Sequence, residues 1–530
     1  VYNRGLTKDW VPKIGILLLI ILLLFTFMLV NPIYSSNMGQ MVGSTGIMSE
    51  YFVWANFAST IGMAAAIPLV MRFKMRFRSK ELMVSSLLTM AVLSVAIATT
   101  MSPEVIVGSA FLFGFAKMFG MIEVILPVMF ILSPTGDKGR FYSLFYPIAI
   151  IAGQVGGLIA ANVSLGYDWQ SIHMYAAATL LLVALICTVV MHDLRFSRKM
   201  PLYQIDWLSI VLFSASMLSL AYVFAFGRQQ AWFVSTSIQY AAVASIALAV
   251  CLVVRQQFLK RPYMTFGLFK KANVRIGVVL LIGLGMFMGA GSIQSIYTNA
   301  ILGYNWKINA SLSLMTMPGM VIAGFVGFHW TKHKLPIKMY IFSGFAAYVL
   351  NYVILYFMMV PGLSIDWFLL PQLLNGYGMC SLFIAIWLYG LNGIPQNDML
   401  TSVGSVMVFR SFIATAFFGA LFSWVQYALQ WQSVNNLAFY FDATIMNTYG
   451  TVGNFGQMQL DAILAANKTL LGYVIIAGLA FLTFIFFHQF GNFKYRIARY
   501  RIRKSEWESR RDGKVDATTS AGAEDVAGIV

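Results

Sequence analysis

Fourteen apolar runs, each close to the length that carries a helix across a bilayer core, constrain this chain more than any other feature. They fall near 14–34, 49–71, 82–101, 105–131, 141–164, 172–191, 205–226, 233–254, 277–301, 309–330, 339–359, 367–391, 403–428 and 469–489. A backbone surrounded by lipid must satisfy its own polar groups, so runs of this length dictate helices. The expected class is an all-α integral membrane protein. Composition agrees, because only 10% of the 530 residues are charged, against roughly 25% in soluble domains. The first run is too long for the core of a signal peptide and reads as the first membrane helix.

A net charge of +17 would suit nucleic acid, but its placement argues otherwise. Of the 36 Lys and Arg, 31 lie at the ends of the chain or in alternate links between spans, including five in the link 72–80 and six in 255–275. Only Arg228, Lys307 and Lys468 lie on the other side, and Lys117 and Arg410 lie within spans. Positive charge gathers on the cytoplasmic face, and an even number of spans returns the chain to its starting side. Both termini are therefore expected in the cytoplasm, with the chain crossing the membrane many times. No nucleic-acid partner is expected.

The organisation turns on 201–275, where two apolar runs form a hairpin bracketed by basic clusters: Arg195, Arg198 and Lys199 before, Arg255, Lys260, Arg261, Lys270, Lys271 and Arg275 after. It separates a six-helix half at 1–200 from another at 276–490, which carries a polar external loop at 430–468. A basic, then disordered, cytoplasmic tail follows at 491–530. A repeat is suggested by Ile67-Pro68-Leu69 before one basic link and Met317-Pro318-Gly319 before another. Paired halves of this kind rock around a site near mid-membrane. Cys187, Cys251 and Cys380 have no disulfide or metal spacing. No phosphate-cradling glycine loop and no catalytic triad occurs, so neither an enzyme nor a cofactor or metal site is expected.

Several segments resemble the fourteen-helix drug:proton antiporter branch of the major facilitator superfamily (the EmrB/QacA type). They are Pro201-Leu202-Tyr203-Gln204-Ile205-Asp206-Trp207, the external Trp232, Arg261-Pro262, Gly267-Leu268-Phe269-Lys270 and the Gly404–Gly419 stretch with Arg410. Ala152-Gly153-Gln154-Val155-Gly156-Gly157, followed by Asp168-Trp169-Gln170, is similar to the branch's antiporter motif. The resemblance covers roughly 12–490. It implies a 6+2+6 helix arrangement and proton-coupled export of amphipathic drugs or toxic compounds by alternating access. In a bacterium with two membranes it also implies a periplasmic adaptor and an outer-membrane channel as partners. Departures from the family pattern are Met71, Met75 and Arg78 where it has Gly, Asp and Gly, Lys117 near its usual Arg, and Gly153 for Pro. The first helix has Asn31-Pro32 but none of the family's acidic residue.

Glu123 is the sole carboxylate deep in a span, and such a group must face a cavity, pair or stay protonated. Alternation between those states is what proton antiport requires, and Glu123, Arg410 and Lys117 form the expected coupling set. Arg410 could meet Glu123 across a cavity; fixed structural charges are the alternative. Gly153, Gln154, Gly156 and Gly157 could bend or closely pack a helix. Arg72, Arg76, Arg78 and Lys80 would form a cytoplasmic latch or simply anchor the topology. Asn31, Tyr34, Gln294, Tyr297 and Asn375 place polar groups where a substrate cavity is expected, with ordinary interhelical hydrogen bonding the alternative. Pro32, Pro127, Pro147, Pro318 and Pro371 can each break a helix. Two other functions remain open: a dedicated exporter of one endogenous lipid, siderophore or metabolite, and a scaffold or sensor that keeps the fold without transport.

Overall fold

The computed structural model describes residues 7–133, 137–193, 201–203, 205–259, 262–392, 394, 403–404, 406–439 and 452–490. Among them helices dominate and no strand forms beyond an isolated bridge between Thr7 and Met191. The N-terminal set is α1 (Lys13–Leu29), α2 (Met38–Thr45), α3 (Ser49–Arg76), α4 (Ser79–Thr99), α5 (Pro103–Leu132), α6 (Lys138–Gly166) and α7 (Trp169–Val190). The hairpin is α8 (Trp207–Phe226) and α9 (Thr236–Phe258). The C-terminal set is α10 (Ala272–Gly289), α11 (Gly291–Ile296), α12 (Trp306–Leu314), α13 (Met317–Lys332), α14 (Ile337–Met358), α15 (Leu369–Gly390), α16 (Ala414–Phe439) and α17 (Val452–Phe487).

Among the described residues, twelve helical segments are long and apolar enough to cross a bilayer. The other two expected spans are α1, which at 17 residues is shorter, and the stretch at 403–428, built as a π turn at Phe409–Ile413 leading into α16. The first hairpin helix, α8, packs with α3 and α5 in one apolar cluster, and its Phe224 meets Phe412 and Phe417 of the C-terminal set. Trp54 of α3 donates to the Leu218 carbonyl of α8 at 3.0 Å, and Ser216 and Ser245 exchange hydrogen bonds between α8 and α9. Of the twelve segments α9 is the least buried, which fits a helix that leaves most of its surface to lipid.

Reciprocal glycine contacts lock both helix sets. A Cβ on Gly62 of α3 would overlap the Phe111 carbonyl of α5, and one on Gly114 would overlap the Ser59 carbonyl. In the C-terminal set Gly319 of α13 meets the Leu373 carbonyl of α15, while Gly376 meets the Thr316 carbonyl. Each carbonyl belongs to the residue three positions before the opposing glycine. Membrane helices gain packing enthalpy from this closeness, which any side chain would prevent.

This register corrects the expected repeat. Gly62 and Gly319 are equivalent, so Pro68 and Pro318 are not; the prolines stand six residues after and one before their glycines. Pro68, Pro127 and Pro147 also lie inside continuous helices, whereas Pro32 follows the end of α1 and Pro318 opens α13. The basic link 72–80 is mostly helix: α3 runs to Arg76 and α4 starts at Ser79. Phe73 packs 4.7 Å from Phe119 of α5, which holds this last turn against the core. Much of the expected external loop 430–468 is likewise helix, in α16 and α17. Its remainder at 440–451, the tail 491–530, Gln204, and the basic residues Arg195, Arg198, Lys199, Lys260 and Arg261 lie outside the described residues.

Candidate functional site

The site begins where α1 stops. Pro32 has no N–H and biases the residue before it toward extended backbone. Val30, the cap of α1, is already extended at φ −81° and ψ 121°. Carbonyls at a helix end lose their intrahelical partners and need others. Lys117 of α5 supplies them, its Nζ donating to the Val30 carbonyl at 2.8 Å and to Asn31 Oδ1 at 2.9 Å. The Tyr34 hydroxyl accepts from the Asn31 N–H and donates to the Leu29 carbonyl, both at 3.2 Å. Helix α6 closes the other side: a Cβ on Gly156 would stand 2.8 Å from the Leu29 carbonyl, and Ser36 donates to the Gly157 carbonyl at 2.7 Å. Five residues singled out by sequence thus meet at one helix break. Gly153 faces open space and Gln154 is half-buried.

A second charged element lies nearer the opposite end of α5. Glu123 Oε2 accepts from Lys74 Nζ at 3.0 Å, with the two side chains 2% and 5% exposed. The other oxygen, Oε1, is buried without a hydrogen-bond partner. Glu123 therefore pairs with Lys74 of α3 and not with Arg410. The sequence reading placed Lys74 in a loop and missed it. Its signal was helical spacing, since Lys74 follows the buried Ile67 and Val70 at seven and four positions on one face.

Arg410 sits in the π turn among aromatic rings from both helix sets, 4.5 Å from the Phe383 centroid and 6.0 Å from those of Tyr146 and Trp387. Of the basic motif, Arg76 ends α3 exposed and Arg72 is half-buried. Arg78 ion-pairs with Asp193 beyond α7 and lies 3.8 Å from Glu81. Lys80 stands half-buried in the first turn of α4. Tyr297 is buried and donates to the Val360 carbonyl at 2.6 Å, with Gln294 one turn before it. Asn375 donates to Gln372 within α15 at 3.4 Å. These last three do not join the α1 break.

No family model matches the chain. The probable multidrug resistance protein EmrY of Escherichia coli K12 is 21% identical over 395 residues, covering 73% of this chain and 75% of that protein. The multidrug export protein EmrB of the same organism is 21% identical over 406 residues, 75% of this chain and 78% of its own. Among solved structures, a POT family transporter superposes with a TM-score of 0.53 at 12% identity, covering 91% of this chain and 98% of that one. The nucleoside transporter NupG does so at 0.50 and 14% identity, covering 89% and 99%. The chain is a multi-pass membrane protein with the major facilitator transporter fold, similar over about three quarters of its length to the EmrB and EmrY multidrug export proteins.

Proposed function

We propose that the chain is a proton-coupled exporter of amphipathic drugs, working by alternating access in the bacterial inner membrane with both termini cytoplasmic. The α1–α7 and α10–α17 sets are the two rocking halves, and α8–α9 is a peripheral insert. The observation that carries proton coupling is the buried Lys74–Glu123 pair with its unpartnered Glu123 Oε1. Protonation of Glu123 neutralises one member of this buried pair and removes the countercharge it offers Lys74. Removing one partner of such a pair costs about 3–5 kcal/mol, close to the roughly 5.5 kcal/mol that inverts a two-state equilibrium from 1:99 to 99:1. One proton at this position can therefore bias which way the protein faces.

Lys117 has a separate role in this reading. It holds the broken end of α1 against α5, so a change in its charge would free the Val30 and Asn31 oxygens and let α1 move. Arg410, ringed by Tyr146 on one side of the interface and Phe383 and Trp387 on the other, joins the two halves where they must part. The names of the relatives support drug export, and a periplasmic adaptor with an outer-membrane channel are proposed partners. The test is uptake of a fluorescent cationic dye into everted vesicles, with and without an ionophore that collapses the proton gradient. Gradient-dependent uptake supports the reading. Uptake indifferent to the gradient, or none across a broad panel of amphipathic compounds, refutes it.

A further inference from the structure

The end of the N-terminal helices away from Lys74 carries a group of buried polar atoms that the coupling scheme does not use. Both ring nitrogens of His173, Nε1 of Trp169, Oδ1 of Asn37, Oε1 of Gln40 and Oε1 of Gln170 are buried without a hydrogen-bond partner. They are gathered around one place. Asn37 donates to Ser164 Oγ at 3.4 Å and Gln40 to the Ser164 carbonyl at 3.0 Å, which ties the segment after α1 to the end of α6. His173 lies one turn into α7, its ring 5.8 Å from that of Trp169 and 6.0 Å from that of Tyr34. Gln40 and Gln170 are half-buried, whereas Asn37, Trp169 and His173 are fully buried, so the group runs from the surface inward.

Buried polar side chains are almost always hydrogen-bonded to protein or water, so six unpartnered polar atoms in one region call for internal water. The inner end of this group leads on to charge, because Tyr34 also bonds the Asn31 N–H and Asn31 accepts from Lys117. We propose that His173 is the proton-accepting residue at the outer mouth of a hydrated route that ends at Lys117. This inference rests on the proton-coupled reading above. One ring nitrogen takes a proton from the external solution and the other releases one, so the imidazole returns to its neutral form. The Tyr34 hydroxyl turns from the Leu29 carbonyl, accepts that proton and passes its own to water within the route. Lys117, having released a proton inward in the preceding cycle, takes it up and is again an ammonium.

Few other titratable groups face the ring. On its own helix, the Asp168 that precedes α7 is exposed. Lys13 of α1, Lys80 and Glu81 of α4, and Lys138 and Arg140 of α6 all lie at the far ends of the helices packed against it. Tyr34 is the neighbour through which a proton on His173 moves inward.

Two measurements on the full chain test the proposal. The first is ¹⁵N NMR of histidine-labelled protein in nanodiscs, comparing wild type with His173→Asn. The expected result is an imidazole signal, missing in the variant, that titrates between roughly pH 5 and 8 as a solvent-connected histidine does. A His173 signal that stays in one form across that range overturns the proposal, and this holds even if the chain shows no proton-coupled transport at all. The second measurement separates gradient-driven transport from substrate counterflow in proteoliposomes, using tetraphenylphosphonium. His173→Asn should lower gradient-driven transport by roughly a hundredfold, the scale of a lost positioned acid–base group, and leave counterflow intact. His173→Gln keeps a polar side chain of similar size and should do the same, which keeps the test open if His173→Asn does not fold. Equal loss of both activities marks a packing role, and no loss of either marks a bystander; each overturns the proposal.

Discussion

The glycine contacts put the two helix sets in register, and the register makes them comparable residue by residue. Twelve positions beyond Gly62 stands Lys74, and twelve beyond Gly319 stands Thr331. Three and nine positions beyond Gly114 stand Lys117 and Glu123; three and nine beyond Gly376 stand Met379 and Ala385. The same scaffold thus carries three buried charges in one set and none at the matching places in the other. The contrast extends across the core, since all the fully buried Lys and Glu side chains among the described residues belong to α3 and α5. The C-terminal set instead sets tyrosine hydroxyls on backbone carbonyls: Tyr304 on Leu363 at 2.6 Å, Tyr340 on Ala323 at 2.8 Å and Tyr352 on Phe287 at 2.5 Å. Those bonds are neutral and hold one geometry, whereas charges can be switched by a proton. In the proposed reading, coupling belongs to the first set and mechanical support to the second.

The contrast breaks most sharply at the buried pair. Glu123→Ala should destabilise the protein by up to about 3–5 kcal/mol, because the buried Lys74 loses this countercharge. The double variant Lys74→Leu/Glu123→Leu should recover most of that loss without recovering coupling, as read by thermal unfolding and by proton-driven dye uptake. A double variant that still couples would place the proton elsewhere. The glycines test what the two sets share. Gly114→Ala and Gly376→Ala should each cost about 1–3 kcal/mol by overpacking a helix crossing, and their similarity in thermal unfolding would support the common register.

A smaller effect is expected in the C-terminal set. Tyr352→Phe removes one neutral hydrogen bond, worth about 1 kcal/mol, and should leave the pH profile of transport unmoved. A shifted profile would show that this set also carries coupling. The smallest effect belongs to the hairpin, where Arg255 grips Asp206 through Nη2 at 2.9 Å. Burial pushes the Asp206 carboxyl up, but hydrogen bonds from Arg255 and Ser209 outweigh it and hold the group below the usual carboxylate range. A depressed value means this stabilisation is present at neutral pH and is lost as the pH falls through the folded-state value. Arg255→Ala should move that loss to higher pH, toward the ordinary carboxylate range near about 4. Acid unfolding of the two proteins checks it, and identical curves would mean the pair contributes nothing.

The spans were legible in the sequence because lipid leaves a backbone few choices, and Asn31-Pro32 and the intramembrane Lys117 stood out there as separate features whose meeting only the structure shows. The residues that complete the site were not. Lys74 looked like one more basic residue in a topology-setting link, and only its packing with the last turn of α3 gives it a partner 49 positions away. The reciprocal glycines were invisible for a related reason. Gly62 and Gly114 are isolated letters, each meaningful only through a carbonyl on the opposite helix, while the conspicuous prolines suggested a repeat seven positions out of register. Periodicity identifies what faces lipid, but it does not say which buried groups meet.

The central claim is that Glu123 carries the proton, and the most direct measurement is proton influx accompanying dye transport in proteoliposomes with an entrapped pH indicator. Wild type and Glu123→Gln would be compared at matched incorporation, because the amide mimics the protonated acid and removes the titration. The account predicts that wild type moves protons with dye, while Glu123→Gln exchanges dye for dye but moves no protons. Proton influx persisting in Glu123→Gln at the wild-type ratio would contradict it.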